Sequence, residues 1–309
     1  MKWSFSQHKA FKRCQRQWFY RSILANARAK DETRREARRL SKLMTVWAWR
    51  GKLVDAVLSD SVMPGIAAGR RVTVDQALAE ARRMFEAQRQ SGLRVAGPHQ
   101  NCGANGAFAG FVEVEYQQPF AEGAFESAWE DIERSIRNCF ENTSLLDQVR
   151  AARRVITQRI LSFSHDGASV IAVPDVICFF EDEPPLIVDW KVNRNPVRDF
   201  WLQLATYAIA LTRCKPHKDW PPLPSAITPC DVRLAEVQLL THGVREHVVS
   251  EEDIVQVSDL IYWSFQDMML ACGGQTSAKA LRAEAFDTAI FPGPCRTCQF
   301  RKLCSGGAP

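Results

Sequence analysis

Apolar and aromatic side chains recur every three to four positions through SFSQHKAFKRCQRQWFYRSILANA, and the arginine-rich stretch beyond Lys30 continues in helix-forming residues. That spacing puts one face of each turn against a core, so residues 4–60 are predicted helical. A break is expected at residues 63–65. Residues 73–90 repeat the helical period, with Thr73 or Asp75 as cap. Residues 91–110 carry five Gly, one Pro and two Asn without periodicity, the texture of a long loop. Helices are expected to resume across residues 122–163.

The pattern then changes. ASVIAVPDVICFF (168–180) is β-branched and apolar, EDEPP is a turn, and LIVDWKV (186–192) is a second short apolar run. This predicts a hairpin whose strands are buried on both faces for part of their length. Residues 196–211 read as a helix, and DVRLAEVQLL (231–240) as a third strand with alternating polarity. Residues 250–271 read as a long amphipathic helix opened by the capping pattern SEED. The tail from Pro292 is short, bears cysteines and ends in SGGAP. An α/β domain with a helical N-terminal portion follows, without internal repeats.

Composition adds the class and a direction. The chain has 309 residues, 46% hydrophobic and 24% charged, as in a globular protein with a large core. No apolar run has the length of a membrane span, and the first twenty residues lack an apolar signal-type segment, so a cytoplasmic protein is expected. The net charge is only +5, but residues 1–50 hold 14 Lys/Arg against 3 Asp/Glu, and the remainder 26 against 32. A basic end beside a mildly acidic body suggests a polyanionic partner, with a solvated arginine-rich helix face as the alternative.

Three positions in the hairpin carry chemistry. Asp175 lies in the first apolar run, and Asp189 and Lys191 close the second. A charge in such a run is unfavourable unless paired or bound to metal. Residues 189 and 191 leave the same face of a strand. A hairpin closing at EDEPP brings Asp175 near Asp189, and two carboxylates that close are commonly satisfied by a divalent cation. Lys191 could orient or help deprotonate a water and offset phosphate charge. In a chain with 35 acidic residues an acid-x-Lys triplet is expected by chance, so the strand context has to carry the argument. Twelve residues on, Gln203 and Tyr207 stand i and i+4 on one helical face, placed to hydrogen-bond phosphate or lysine.

The series V-P-D, V-D-W-K and Q-L-A-T-Y resembles the RecB-like branch of the PD-(D/E)XK nucleases, over residues 1–60 and 165–309. The resemblance implies a restriction-endonuclease-like mixed sheet flanked by helices, with a helical N-terminal lobe (1–60) and a nuclease core (166–309); residues 61–165, which it does not cover, are expected to form a helical insertion or lobe. It implies metal ligation by Asp175, Asp189 and the backbone carbonyl of Trp190, assistance to water by Lys191, and support from Gln203 and Tyr207. Members of that branch place a His on an upstream helix in R-G-x-x-x-H. Here the matching stretch runs Arg50-Gly51-Lys52-Leu53-Val54-Asp55, so Asp55 stands in the histidine's place. An aspartate suits Mg²⁺ or Mn²⁺, which prefer oxygen.

Of ten cysteines, three crowd the tail as Cys295-x₂-Cys298-x₅-Cys304. Such thiolates in a reducing compartment suggest a metal or cluster site that needs a fourth ligand, for which Cys14 is the best candidate. By the same resemblance, Cys14, Cys295, Cys298 and Cys304 hold a [4Fe–4S] cluster joining the two ends of the domain; Zn²⁺ on these thiolates is the alternative. The expected function is a Mg²⁺- or Mn²⁺-dependent deoxyribonuclease acting on single strands or DNA ends. Lys12, Arg13, Arg16, Arg21 and Arg50 are expected to grip phosphates. No phosphate-binding Gly-rich Lys loop is present, so a helicase or ATPase partner would be a separate chain. A non-cleaving nucleic-acid-binding subunit of a DNA-processing or defence complex remains the second reading.

Overall fold

The computed structural model describes residues 1–94, 108–193, 200–222, 227–275 and 277–304. The first strand, β1 (Lys2–Trp3), leads to α1 (Phe5–Arg13), which starts where the Ser4 hydroxyl accepts the Gln7 N–H. Next comes α2 (Gln15–Trp18), extended by a π-helical turn over Phe19–Leu24. Asp31 caps α3 (Glu32–Leu40), β2 (Leu43–Met44) follows, and Thr45 caps α4 (Val46–Val57). A second π-helical turn, Leu58–Val62, runs into α5 (Met63–Ala67), and a Thr73–Gln76 capping box opens α6 (Val74–Gly92). Then come β3 (Gly110–Phe111), α7 (Val112–Glu115), α8 (Ala124–Glu141) and α9 (Thr143–Ala151). The chain becomes extended through β4 (Arg154–Thr157), β5 (Leu161–His165), β6 (Ala168–Ala172), β7 (Val176–Phe179) and β8 (Leu186–Lys191). It closes with α10 (Phe200–Arg213), β9 (Arg233–Gln238), β10 (Gly243–His247), α11 (Glu251–Ala271) and α12 (Gly293–Arg296).

The main sheet has the order β10-β9-β8-β7-β4; β8 and β9 are parallel and the other pairs antiparallel. A smaller sheet has the order β1-β6-β5. Side chains of the main sheet alternate between two cores. Ile177, Ile187 and Leu234 meet Leu204, Ala208 and Ile261 of the α10/α11 layer. Val176, Val188 and Val237 meet Leu53, Val57 and Ile132 of the α4/α8 layer. The fold is a mixed sheet flanked by helices, as expected, and its central strands are buried on both faces.

Several local expectations are corrected. Helix runs through residues 63–65, because Pro64 falls in the first turn of α5, where its missing N–H is not needed. The helical reading of 122–163 holds only to Ala151, after which β4 and β5 follow; β5 alternates buried Leu161 and Phe163 with exposed Ser162 and Ser164. The run 168–180 is two strands in two sheets, parted at Val173-Pro174-Asp175, where proline cannot extend a ladder. Within 4–60, Leu43–Met44 is extended, paired with Gly110–Phe111. Of the expected loop 91–110, residues 95–107 lie outside the described residues, as do residues 196–199 of the expected helix 196–211.

Candidate active site and cysteine pocket

The β7–β8 register pairs Val176 with Val188, so one step further along the hairpin Asp175 stands opposite Asp189. Asp175 therefore lies just outside β7, not inside a strand. Its Oδ2 accepts the backbone N–H of Trp190 at 3.0 Å, which takes the place of a ladder bond where β7 has ended. Asp189 is 1% exposed. Its Oδ2 pairs with Lys191 Nζ at 2.5 Å, and its Oδ1 accepts from Gln203 Nε2 at 3.4 Å. Gln203 also bonds the Tyr207 hydroxyl, so the two α10 residues act as one brace on Asp189. The Lys191 ammonium lies 4.4 Å from the centre of the Phe200 ring, a cation–π contact that fixes its direction.

Asp55 arrives from α4 on the opposite side of the sheet. Its Oδ2 pairs with Lys52 at 2.5 Å, and its Oδ1 accepts from Ser59 at 3.1 Å and Trp190 Nε1 at 3.3 Å. What joins it to the hairpin is Gln158, which lies between β4 and β5. Gln158 Nε2 donates to Asp55 Oδ1 at 2.7 Å and to Asp175 Oδ1 at 2.9 Å, and its backbone N–H reaches the Asp175 carbonyl at 3.1 Å. Its φ of 50° is a left-handed conformation that disfavours a side chain, so this clamp is held under strain. No pattern in the sequence marks Gln158.

Electrostatics follow from burial. Desolvation, with the charges of Asp189 and Asp55, raises the pKa of Asp175 well above the usual carboxylate value. Asp189 is raised too, chiefly by burial, although Lys191 pulls in the other direction. Burial also raises Tyr207 well above an ordinary phenol, and both nearby carboxylates add to the rise. The Tyr207 hydroxyl therefore stays protonated and able to donate.

Beside these carboxylates opens a cleft of about 590 Å³, lined among others by Arg13, Arg21, Trp47, Arg50, Lys52 and Lys191. Arg13 donates to Gln17 at 2.5 Å, and Arg21 is exposed. Arg50 lines the cleft, while its guanidinium is bound to buried Asp131 and to the Val192 carbonyl, so it also ties α4 to the end of β8. Lys12 and Arg16 are not among the described lining residues. Lys12 pairs with Asp267 at 2.8 Å, and Arg16 Nε donates to the Phe286 carbonyl at 3.1 Å.

The four singled-out cysteines, Cys14, Cys295, Cys298 and Cys304, line one small pocket with Tyr20 and Phe300. Burial raises the Cys298 thiol, and the neighbouring Cys14 and Cys304 add to this. Gln17 Nε2 donates to Cys298 Sγ at 3.5 Å and its other contacts reach the cleft, so pocket and cleft share a wall. The tail has a second anchor that sequence patterns did not reveal. The Tyr116 hydroxyl donates to the Gln299 carbonyl at 2.7 Å, and buried Glu115 binds both Arg39 and Lys302. Among the described residues no three His, Cys, Asp or Glu side chains are gathered around one ion position. Asp55 and Asp175 are spaced by the Gln158 amide. The donors nonetheless suit the expected groups: buried Asp189 beside half-buried Asp55 and Asp175 suits a hard divalent cation, and four thiols on one pocket suit a thiolate-bound centre.

A family profile described as the PD-(D/E)XK nuclease superfamily matches residues 2–305. The chain belongs to the PD-(D/E)XK nuclease superfamily. No curated protein matches it. Among solved structures, a candidate exonuclease from Eubacterium rectale is 13% identical, covering 90% of this chain and 98% of its own, with a TM-score of 0.36. The protein SSO0001 is 12% identical, covering 64% of this chain and 80% of its own, with a TM-score of 0.30. At those scores neither likeness bears on the site. Among the described residues no helix is long and apolar enough to cross a membrane.

Proposed function

We propose that this chain is a divalent-metal-dependent deoxyribonuclease of the RecB-like branch, cutting single strands or free DNA ends. In this reading Asp175, Asp189, Asp55 and the Trp190 carbonyl hold Mg²⁺ or Mn²⁺, and Cys14, Cys295, Cys298 and Cys304 hold a [4Fe–4S] cluster. The observation that carries it is the meeting of Asp175, Asp189 and Lys191 with the Gln203–Tyr207 brace beside a cleft walled by arginine and lysine. The Trp190 N–H points at Asp175, and in an extended strand the carbonyl of the same residue faces the same edge. That edge is where β7 has ended and a ligand can enter.

A bound divalent cation would stabilise charge on the phosphate and lower the pKa of its water. The chain's own residues do the rest. Lys191, held by Asp189 and Phe200, presents its remaining N–H groups to the cleft, where they can hold the attacking water or a phosphate oxygen. Tyr207 and Gln203 fix the rotamer of Asp189. Arg13, Arg21 and Lys52 supply the sequence-independent attraction to the backbone.

The test is cleavage of end-labelled single-stranded DNA, duplex DNA and RNA in Mg²⁺ or Mn²⁺, beside Asp189→Ala. The reading expects metal-dependent loss of a DNA substrate by the wild type and none by the variant. Undiminished cleavage by Asp189→Ala, or preference for RNA, overturns the corresponding part. A brown protein absorbing near ~400 nm supports the cluster; a colourless one with stoichiometric zinc assigns the cysteines to Zn²⁺ instead.

A further inference from the structure

Tryptophans 3, 18 and 49 are buried in the cores, as such large side chains usually are. Trp47 is different: it is 45% exposed and lines the cleft. It stands in the first turn of α4, with Gly51 and then Asp55 following at intervals of four, and all three face the cleft. Eight residues of helix put the indole about 12 Å along the axis from the carboxylate, a span of a few nucleotides. The guanidinium of Arg50, itself anchored on Asp131 and the Val192 carbonyl, lies over one face of the ring at 5.4 Å. The indole is thus braced by a fixed cation, which keeps it from collapsing onto the cleft wall.

Gly51, between them, adds to the argument. Glycine inside a helix is less stable than alanine by about 1 kcal/mol. Its own packing does not require it, since a Cβ there would meet nothing nearer than Val192 Cβ at 4.0 Å. A bare stretch of helix between an exposed ring and a metal-binding carboxylate is what a passing sugar–phosphate chain needs.

We propose that Trp47 is the base-stacking platform of the cleft, selecting single-stranded over duplex DNA by accepting an unpaired base on its open face. The stack would run Arg50, Trp47, base, with the strand crossing Gly51 toward Asp55. Bases in a duplex have their faces covered by neighbours and cannot add to the ring, whereas every unpaired base can, whatever its identity. The proposal rests on the nuclease reading for its substrate, but it is read through binding alone.

The experiment is fluorescence anisotropy of labelled oligo-dT and of an equal-length duplex, without divalent metal. It compares the wild type with Trp47→Ala, Trp47→Phe and, as control, Trp263→Ala, a residue 64% exposed on α11 and not among the described cleft residues. Loss of one stacked base predicts about tenfold weaker oligo-dT binding by Trp47→Ala. Duplex binding should stay within about twofold, Trp47→Phe should retain most of the affinity, and Trp263→Ala should change neither. Equal loss on both DNAs, or none, overturns the proposal. Trp47→Phe keeps the test alive if the alanine variant folds poorly: loss of oligo-dT binding there as severe as removal of the ring also overturns it. A wild type that binds oligo-dT but cuts nothing in Mn²⁺ sinks the nuclease reading and leaves the stacking assignment standing.

Discussion

Replacing Asp175 by Asn should make the metal-free protein more stable while removing its activity. Asp175 is half-buried and largely desolvated, the neighbouring Lys191 is committed to Asp189, and two further carboxylates repel it. Burial of such a charge is unfavourable by several kcal/mol, of which hydrogen bonds from Trp190 and Gln158 recover about 1.5–3 each. Asn keeps the Trp190 bond through its oxygen; the Gln158 amide must then turn, weakening its hold on Asp55. A net gain of about 1–2 kcal/mol is expected, as for other groups retained for function. For a chain of 309 residues that is a rise in Tm of roughly 1.5–3 °C.

The pH dependence fixes the sign. The folded pKa of Asp175 lies above its ordinary value of 3.8, so the folded state binds the proton more tightly than the unfolded chain. The wild type is therefore spared the charge below that value and bears it fully above the raised pKa. The advantage of Asp175→Asn should be small in acid and grow as pH rises. Thermal denaturation in chelator from acid to neutral pH measures it. A variant less stable than the wild type at neutral pH, or an advantage that shrinks with rising pH, refutes the reasoning. Saturating Mn²⁺ should raise the Tm of the wild type and leave the variant's nearly unchanged.

Burial pushes the Glu115 carboxyl up, but Arg39 and Lys302 outweigh it and hold the pKa below the usual value. Its ion pairs should stabilise the fold above the ordinary glutamate pKa and fade as pH falls through the depressed one. Glu115→Ala should lose about 3 kcal/mol in denaturant melts at neutral pH. Gln158→Leu removes the clamp between Asp55 and Asp175; weaker Mn²⁺ binding by calorimetry is expected with far-UV circular dichroism retained, and unchanged affinity would deny it a role. Cys304→Ser should bleach any absorbance near ~400 nm and lower Tm before it alters the rate per folded molecule.

Much of the site was legible because its parts sit on regular elements. Asp189 and Lys191 share a strand face, Gln203 and Tyr207 share a helix face, and both periods can be counted. Asp55 was reached only through the resemblance, and the structure puts it in hydrogen-bonded reach of Trp190 and Gln158. Gln158 escaped because nothing local distinguishes a glutamine between two short strands; its role comes from a fold that joins β4 to β7. The short strands β4 and β5 were absorbed into a helical reading, although the alternation of Leu161, Ser162, Phe163 and Ser164 carries the strand period. The basic N-terminal residues illustrate a different limit. Charge counting treats Lys12, Arg13, Arg16, Arg21 and Arg50 alike, whereas only Arg13, Arg21 and Arg50 are among the described cleft residues. Which way a cation points depends on partners such as Asp267 that lie far along the chain.

Asp175, Asp189 and Lys191 are proposed here to form a metal-dependent cutting centre. Its most direct test is the single-turnover rate of labelled single-stranded DNA cleavage in Mn²⁺ by the wild type and Lys191→Ala, with DNA affinity measured in the same samples. The wild type should cleave in a way that chelator abolishes, and Lys191→Ala should be at least ~100-fold slower at nearly unchanged affinity. Equal rates in the two proteins, or wild-type cleavage that persists in chelator, would contradict it.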